Sequence, residues 1–344
     1  MRFSQHKEVA VLVLNWNGRT LLQQFLPSWL AHTPDYADLI IVDNGSTDDS
    51  VSFLQEHYRD VHLLAFEENL GFAGGYNRAI EELDYQTVIL LNSDVELTSG
   101  WLDQPMQLLN SSPEIAAVQP TLRAQRSPKD FEYAGATGGF IDRLGYPFCR
   151  GRIFDTIEED RGQYADSVDL FWASGACLII RRAVYREVGG LDTLFFAHQE
   201  EIDLCWRLNA RGWRIVSAPQ SIVYHVGGAS LSADSPRKVF LNFRNNLLMI
   251  YKNLPAPTLY RVLFARMLLD LVAMLVYLLR LRPGQAASVL KGWRCFLIKR
   301  QRYESTRQEN LKKTVRPISP ELMKPYSLLF QYYFKGRKRY SDLP

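Results

Sequence analysis

Val88-Ile-Leu-Leu-Asn-Ser-Asp-Val-Glu96 is the stretch whose reading decides the fold. An apolar run ends in Asn92, Ser93, Asp94 and Glu96, the pattern of a buried strand that delivers carboxylates to its C-terminal end. In open α/β sheets, ligands bind off the carboxyl ends of strands. Acidic side chains there suit a hard divalent cation shared with substrate phosphates. A polar turn after a core strand would read the same way, so the neighbouring strands decide. Leu39-Ile-Ile-Val-Asp43 is a second apolar run ending in an acid, followed by Gly45 as a turn. Ser46 is then expected as the N-cap of a helix with Asp48 and Asp49 in its first turn. A third strand, Val9 to Leu14, ends in Asn15-Trp-Asn-Gly18. Three strand ends therefore carry polar groups to one edge of one sheet.

Outward from these strands, residues 9–120 alternate strand and helix. Strands are expected near 9–14, 39–43, 61–66, 86–92 and 115–119, and helices near 19–32, 46–58, 74–84 and 99–111. That order predicts an α/β fold with a mostly parallel, Rossmann-like sheet and helices on both faces. Residues 121–170, rich in Gly, Asp and Arg, read as long loops; a helix over 200–211 and a strand over 213–217 follow. No GxGxxG follows a strand and no GxxxxGK[ST] occurs, which disfavours a dinucleotide cofactor and a P-loop NTPase. Gly71, Gly74 and Gly75 would let a diphosphate approach the backbone closely.

The 344 residues allow one large domain with an appendage. The expected division is 1–253 for the α/β domain and 254–344 for a helical, basic region. From residue 282 onward there are 15 Lys and Arg against 4 Asp and Glu, a net of +11; the whole chain is +3, so residues 1–281 carry −8. An acidic body with a basic tail implies an anionic surface as partner. Residues 258–281 are strongly apolar, but their longest uncharged stretch, Leu271–Leu279, has 9 residues. A spanning helix needs about 20 apolar residues, so a membrane-surface helix is expected, with a soluble helical subdomain as the other reading. The four cysteines form no CxxC pair and read as free thiols of a reducing compartment. Met1–Glu8 holds no apolar signal-peptide core.

Several motifs together resemble the family-2 glycosyltransferases of the GT-A fold, especially the bacterial rhamnosyltransferase-like group. They are Leu14-Asn-Trp-Asn17, Val42-Asp-Asn-Gly-Ser-Thr-Asp48, Glu68 through Asn77, Leu91-Asn-Ser-Asp94, Trp172 through Arg181, Gly189-Gly-Leu-Asp192, Glu200 through Cys205, and His225 with the Gly-Gly-Ala-Ser230 that follows. The resemblance spans about residues 9 to 250. It implies an inverting transferase that moves a sugar, rhamnose as the first choice, from a dTDP- or UDP-linked donor. The acceptor would be lipid-linked or a polysaccharide of the cell envelope, at the cytoplasmic face of the inner membrane; nucleic acid is not an expected partner.

Residue by residue, the resemblance puts Asp43 against the pyrimidine base, with Asn15, Asn17, Gly74, Gly75, Asn77 and Asn92 around the nucleotide. Asp94 falls at the last acid of a DxD-like motif whose first acid is here Asn92, and His225 at a further ligand of a Mn or Mg ion. By its own type, without the resemblance, His225 reads first as a structural histidine. Trp172 and Gly175 are placed near the sugar or acceptor, although a core Trp is an equal reading. The family usually reads Glu-Asp-x-Asp where this chain has Glu200-Glu201-Ile202-Asp203. Glu201 therefore stands at the base position, one methylene longer, with Glu200 and Asp203 as neighbouring catalytic candidates. On a helix 201 lies about 100° round from 200, so the three acids cannot all face one hydroxyl. A nucleotidyltransferase and an inactive nucleotide-sugar-binding scaffold are the alternatives.

Overall fold

A computed structural model describes residues 7–227 and 235–344. The Gly228–Ser230 part of the His225 motif and the segment before Lys7 lie outside the described residues. The first half alternates as its pattern requires: β1 (Val9–Asn15), α1 (Arg19–His32), β2 (Ala37–Asn44), α2 (Ser50–His57), β3 (His62–Phe66), α3 (Gly71–Glu82), β4 (Thr87–Asn92), β5 (Val95–Glu96), α4 (Asp103–Ser111) and β6 (Ile115–Ala124). Short strands follow: β7 (Ser127–Phe131), β8 (Gly139–Asp142), β9 (Pro147–Cys149), β10 (Arg152–Ile153) and β11 (Thr156–Ile157). Then come β12 (Cys177–Arg181), α5 (Arg182–Glu187), α6 (Glu200–Ala210), β13 (Arg214–His225), α7 (Pro236–Asn253), α8 (Ala256–Leu279), α9 (Pro283–Lys299), α10 (Glu304–Lys312) and β14 (Met323–Lys324).

The main sheet runs β3-β2-β1-β4-β12-β6-β13-β5, with β7 paired to β6. Only its first four strands form an all-parallel block; β12 is antiparallel to both β4 and β6, so the sheet is mixed. Both faces are covered. On β1, Ala10 and Leu12 enter one core with Tyr76 and Ile80 of α3, while Val9, Val11 and Val13 enter another with Leu22, Phe25 and Trp29 of α1. Strands buried on both faces become continuous apolar runs, which is why the sequence showed them.

Three expectations change. The helix after β2 begins at Ser50, not Ser46, because the Ser46 hydroxyl and amide are bonded to Asp43. Residues 121–170 are not long loops: β8 to β11 form a second sheet, ordered β11-β10-β9-β8-β14. Strands of two to five residues leave too short a period to read. The strand expected over 213–217 continues through a register shift to His225.

The expected boundary falls at the turn between α7 and α8, yet the chain beyond it folds back onto the body. β14 pairs with β8, α9 packs along α7, and Leu328 donates its amide to Asp142 at 2.8 Å. All four cysteines are free, and three of them are buried.

Candidate active site

The strand register aligns the polar ends. Asn15 sits opposite Asp43, and Leu14 opposite Asn92. Asp43 is buried and accepts from Asn15 Nδ2 at 2.9 Å, the Ser46 amide at 2.9 Å and the Ser46 hydroxyl at 2.7 Å. Asn17 adopts a left-handed φ of 49°, and its Oδ1 accepts the Thr47 amide at 2.7 Å. Trp16 between them is exposed. The ends of β1 and β2 thus form one braced polar lip.

Asp94 follows β4, and short strand β5 pairs antiparallel with the end of β13, setting His225 opposite Val95. The Val226 amide bonds the Asp94 carbonyl at 3.0 Å. This pairing brings His225 Nε2 to 3.0 Å from Asp94 Oδ1. Nδ1 lies 3.4 Å from Glu132 Oε1, at ion-pair distance but without hydrogen-bond alignment. Burial alone would lower the imidazole's proton affinity; Asp94 and Glu132 overcome it and push the pKa up to about 10. Glu132 is the residue that sequence reasoning missed, since it falls in a stretch read as loop. Among the described residues no cluster of three or more His, Cys, Asp or Glu is arranged for a metal. One carboxylate and one imidazole still fit Mn or Mg, which commonly takes one or two protein ligands and completes its shell with phosphate oxygens and water.

The acidic helix α6 is entered through a strained loop. Phe196, His198 and Gln199 have φ of 67°, 70° and 73°, a region that side chains other than glycine avoid. Asn245 of α7 holds this loop, donating Nδ2 to the carbonyls of Phe195, Ala197 and His198 at 3.0, 2.8 and 2.8 Å. Beyond the loop, Glu200 and Glu201 each bury an Oε2 with no hydrogen-bond partner. Glu201 keeps some surface exposure, yet that carboxylate oxygen has none. Desolvation pushes Glu201 up to about 7, and desolvation with the repulsion of Glu201 pushes Glu200 well above the usual carboxylate range. Gly175 faces this pair: a Cβ there would lie 3.3 Å from Phe72 and 3.7 Å from the Glu201 Cβ. His198 is held neutral, its pKa lowered to about 4 by burial and Lys238, and its Nε2 is buried and unpartnered.

Five expected site residues make other contacts in the fold. Asp203 is fully buried and paired with Lys252 at 2.8 Å, Arg207 at 3.0 Å and Asn253 at 2.9 Å. Burial would raise its pKa, but Lys252 and Arg207 hold it down. Lys252 also reaches Asp192 at 2.6 Å, so this network ties α6 to α7 and to the loop before α6. Asn77 spends its amide on the Leu191 backbone, donating at 2.8 Å and accepting at 3.0 Å, while the Tyr185 hydroxyl donates to it. Gly75 lets α3 pack on β1, since a Cβ would lie 2.7 Å from Leu14; Gly74 would place one 2.9 Å from Leu70. Both glycines permit these close approaches. Trp172 is core, with Nε1 on the Phe140 carbonyl at 2.9 Å and its ring against Gly139.

Comparison with known proteins agrees with this fold. The N-acetylglucosaminyl-diphospho-decaprenol L-rhamnosyltransferase of Mycobacterium tuberculosis is 28% identical over 242 residues, 65% of this chain and 78% of the relative. A mannosyltransferase from Pyrobaculum calidifontis, solved with GDP-Man and Mn2+, is 14% identical and superposes with a TM-score of 0.52 over 90% of this chain and 87% of its own. GalNAc-T7, solved with UDP, GalNAc and Mn2+, is 14% identical with a TM-score of 0.56, over 73% of this chain and 49% of its own. These two likenesses are of fold, and the fold is that of GT-A enzymes. The sequence profile of Glycosyl transferase family 2 matches residues 10–189. With strand ends, acidic helix and profile in agreement, the chain is a glycosyltransferase and belongs to glycosyl transferase family 2.

Proposed function

We propose that the chain is an inverting, metal-dependent transferase of cell-envelope glycan synthesis. It moves a sugar, rhamnose in our reading, from a dTDP- or UDP-linked donor to a lipid-linked or polysaccharide acceptor. The relative from M. tuberculosis, named for a diphospho-decaprenol substrate, supports the lipid-linked choice. Residues 1–253 carry the chemistry, and 254–344 brace it and meet the cytoplasmic face of the inner membrane.

The observation that carries the reading is Glu201. Its carboxyl is desolvated, its Oε2 has no partner, and it titrates near neutrality beside Gly175. A general base works best with a pKa near the working pH. Glu201 takes the proton of the acceptor hydroxyl as that oxygen bonds the anomeric carbon. The bond from that carbon to the diphosphate breaks in the same displacement, which inverts the centre and needs no enzyme nucleophile. Asp43, Asn15 and Asn17 orient the base and ribose; Gly175 leaves room beside the reacting hydroxyl. Asp203 positions α6 through Lys252 and does not touch substrate. Asp94 and His225 would hold Mn or Mg, whose charge stabilises the diphosphate as it leaves. His225 must lose its proton to do so.

The test pairs nucleotide sugars with a polyprenyl-diphosphate acceptor and follows the products. Release of nucleoside diphosphate with an inverted anomeric centre supports the reading. Release of pyrophosphate would make it a nucleotidyltransferase, and tight donor binding without turnover would make it a scaffold.

A further inference from the structure

We infer that the outward face of α8 lies flat on an anionic lipid leaflet and does not cross it. This deepens the proposed function, on which it rests for location alone. α8 is the one described helix long and apolar enough to cross a membrane by length and composition. At 24 residues it is about 36 Å long, which suffices for a bilayer core. Its two faces decide otherwise.

Tyr260, Phe264, Leu268, Leu271, Leu275 and Leu279 are exposed, from 41% for Leu271 to 84% for Leu279. Their three- and four-residue spacing places them along one side. The opposite side, Leu259, Val262, Arg266 and Asp270, is buried. Arg266 and Asp270 stand at the middle of the helix, 2% and 1% exposed, and are tied into the body. Arg266 donates to the Leu144 carbonyl at 3.2 Å and to Asn246; Asp270 accepts from Trp293 Nε1 at 2.9 Å. A crossing helix would have to strip this pair from its partners and place it at the bilayer centre, where ionised side chains are costly. A helix with one apolar face free and the other bonded to the protein body meets lipid from one side.

Charge selects the occupant. Residues 256–299 hold seven Lys and Arg against one Asp. Arg261, Arg280, Lys291 and Arg294 are exposed. The exposed charges of α8 and α9 are thus all positive, Asp270 being buried, which disfavours a second copy and favours an anionic leaflet. An apolar face of this extent is rare on a protein that stays in water.

The test uses the full chain and reads vesicle binding and donor binding separately, so that either can fail alone. The protein should co-sediment with phosphatidylglycerol-containing vesicles and less so with pure phosphatidylcholine or at high salt. Alkaline carbonate should release it from membranes of expressing cells. Leu268→Glu with Leu275→Glu should abolish sedimentation while leaving nucleotide-sugar binding intact. Lys291→Gln and Arg294→Gln should each weaken binding to anionic vesicles about 5-fold, from the worth of one basic residue at such a surface. Retention after carbonate would show a crossing helix. No vesicle binding, with a concentration-dependent dimer that the leucine variant dissolves, would make the face a contact between copies. The absence of both vesicle binding and a dimer would also overturn the proposal. Loss of vesicle binding without loss of transfer to a water-soluble acceptor would leave the catalytic reading standing.

Discussion

His225 Nε2 lies 3.0 Å from Asp94 Oδ1, although 131 residues separate them in the chain. The pairing of β13 with β5 sets that distance, with His225 at the end of β13 and Asp94 in the two-residue turn between β4 and β5. Asp94→Asn should therefore leave the fold intact. It should remove most transfer and the thermal stabilisation by manganese plus donor, since charge stabilisation of a leaving group is worth several kcal/mol. Unchanged turnover in saturating manganese would remove Asp94 from the site.

Asn245→Ala leaves the Ala197 and His198 carbonyls without this donor, while the Phe195 carbonyl keeps Arg244 at 2.8 Å. A buried polar group left unpaired costs about 1–3 kcal/mol, so stability should fall by that order. If Asn245 holds the strained loop that leads into the base helix, kcat should fall while the KM for donor stays near its original value. Equal loss in both parameters, or a loss of stability alone, would reduce Asn245 to a structural tie.

The paired carboxyls make a prediction about pH. Desolvation raises both Glu200 and Glu201 above the usual carboxylate range in the fold, Glu201 to about 7. A raised carboxyl favours the fold when protonated, so that contribution is lost as pH rises through the folded value. Glu200→Gln and Glu201→Gln should melt close to the parent in mildly acid buffer and above it in mildly alkaline buffer. The difference should be of the order of a few kcal/mol. In the parent, kcat/KM should rise with pH through about 7, the value for Glu201. A flat thermal comparison across that range would show that the two carboxyls are not desolvated in solution.

Trp172→Phe tests the core reading of Trp172. It removes the bond to the Phe140 carbonyl and thins the packing on Gly139. The melting temperature should drop while donor preference and the KM for acceptor stay unchanged. A shift in acceptor preference would return Trp172 to the binding surface.

How much was legible depended on the kind of signal. β1, β2 and β4 announced themselves because strands buried on both faces are apolar along their length, and their polar ends marked the site edge. Asp94 and Glu201 followed from the resemblance, with Asp94 also carried by its strand. Residue type misled where it could not name a partner. Asn77 and Asp203 are polar and near the site, yet one serves the Leu191 backbone and the other Lys252. Glu132 lay hidden because its closeness to His225 comes from β6 and β7 pairing, which short irregular strands do not advertise. The left-handed φ values at Phe196, His198 and Gln199 had no glycine to signal them. The packing of β14 on β8, more than 170 residues away in the chain, was beyond any local pattern. For the same reason, truncation at Asn253 is a poor test of the C-terminal region: it removes Arg307 from the Tyr251 carbonyl and Asn310 from Asn253.

The central claim is that Glu201 accepts the proton of the acceptor hydroxyl. The most direct measurement is single-turnover release of nucleoside diphosphate by Glu201→Gln and Glu200→Gln, with donor affinity determined in parallel. Glu201→Gln should lose about 100- to 10,000-fold in rate, the usual worth of a general base, with donor affinity unchanged. Glu200→Gln should keep most of its rate, and Glu201→Asp should stay measurably active. A Glu201→Gln variant that turns over like the parent while Glu200→Gln or Asp203→Asn is dead would contradict the account.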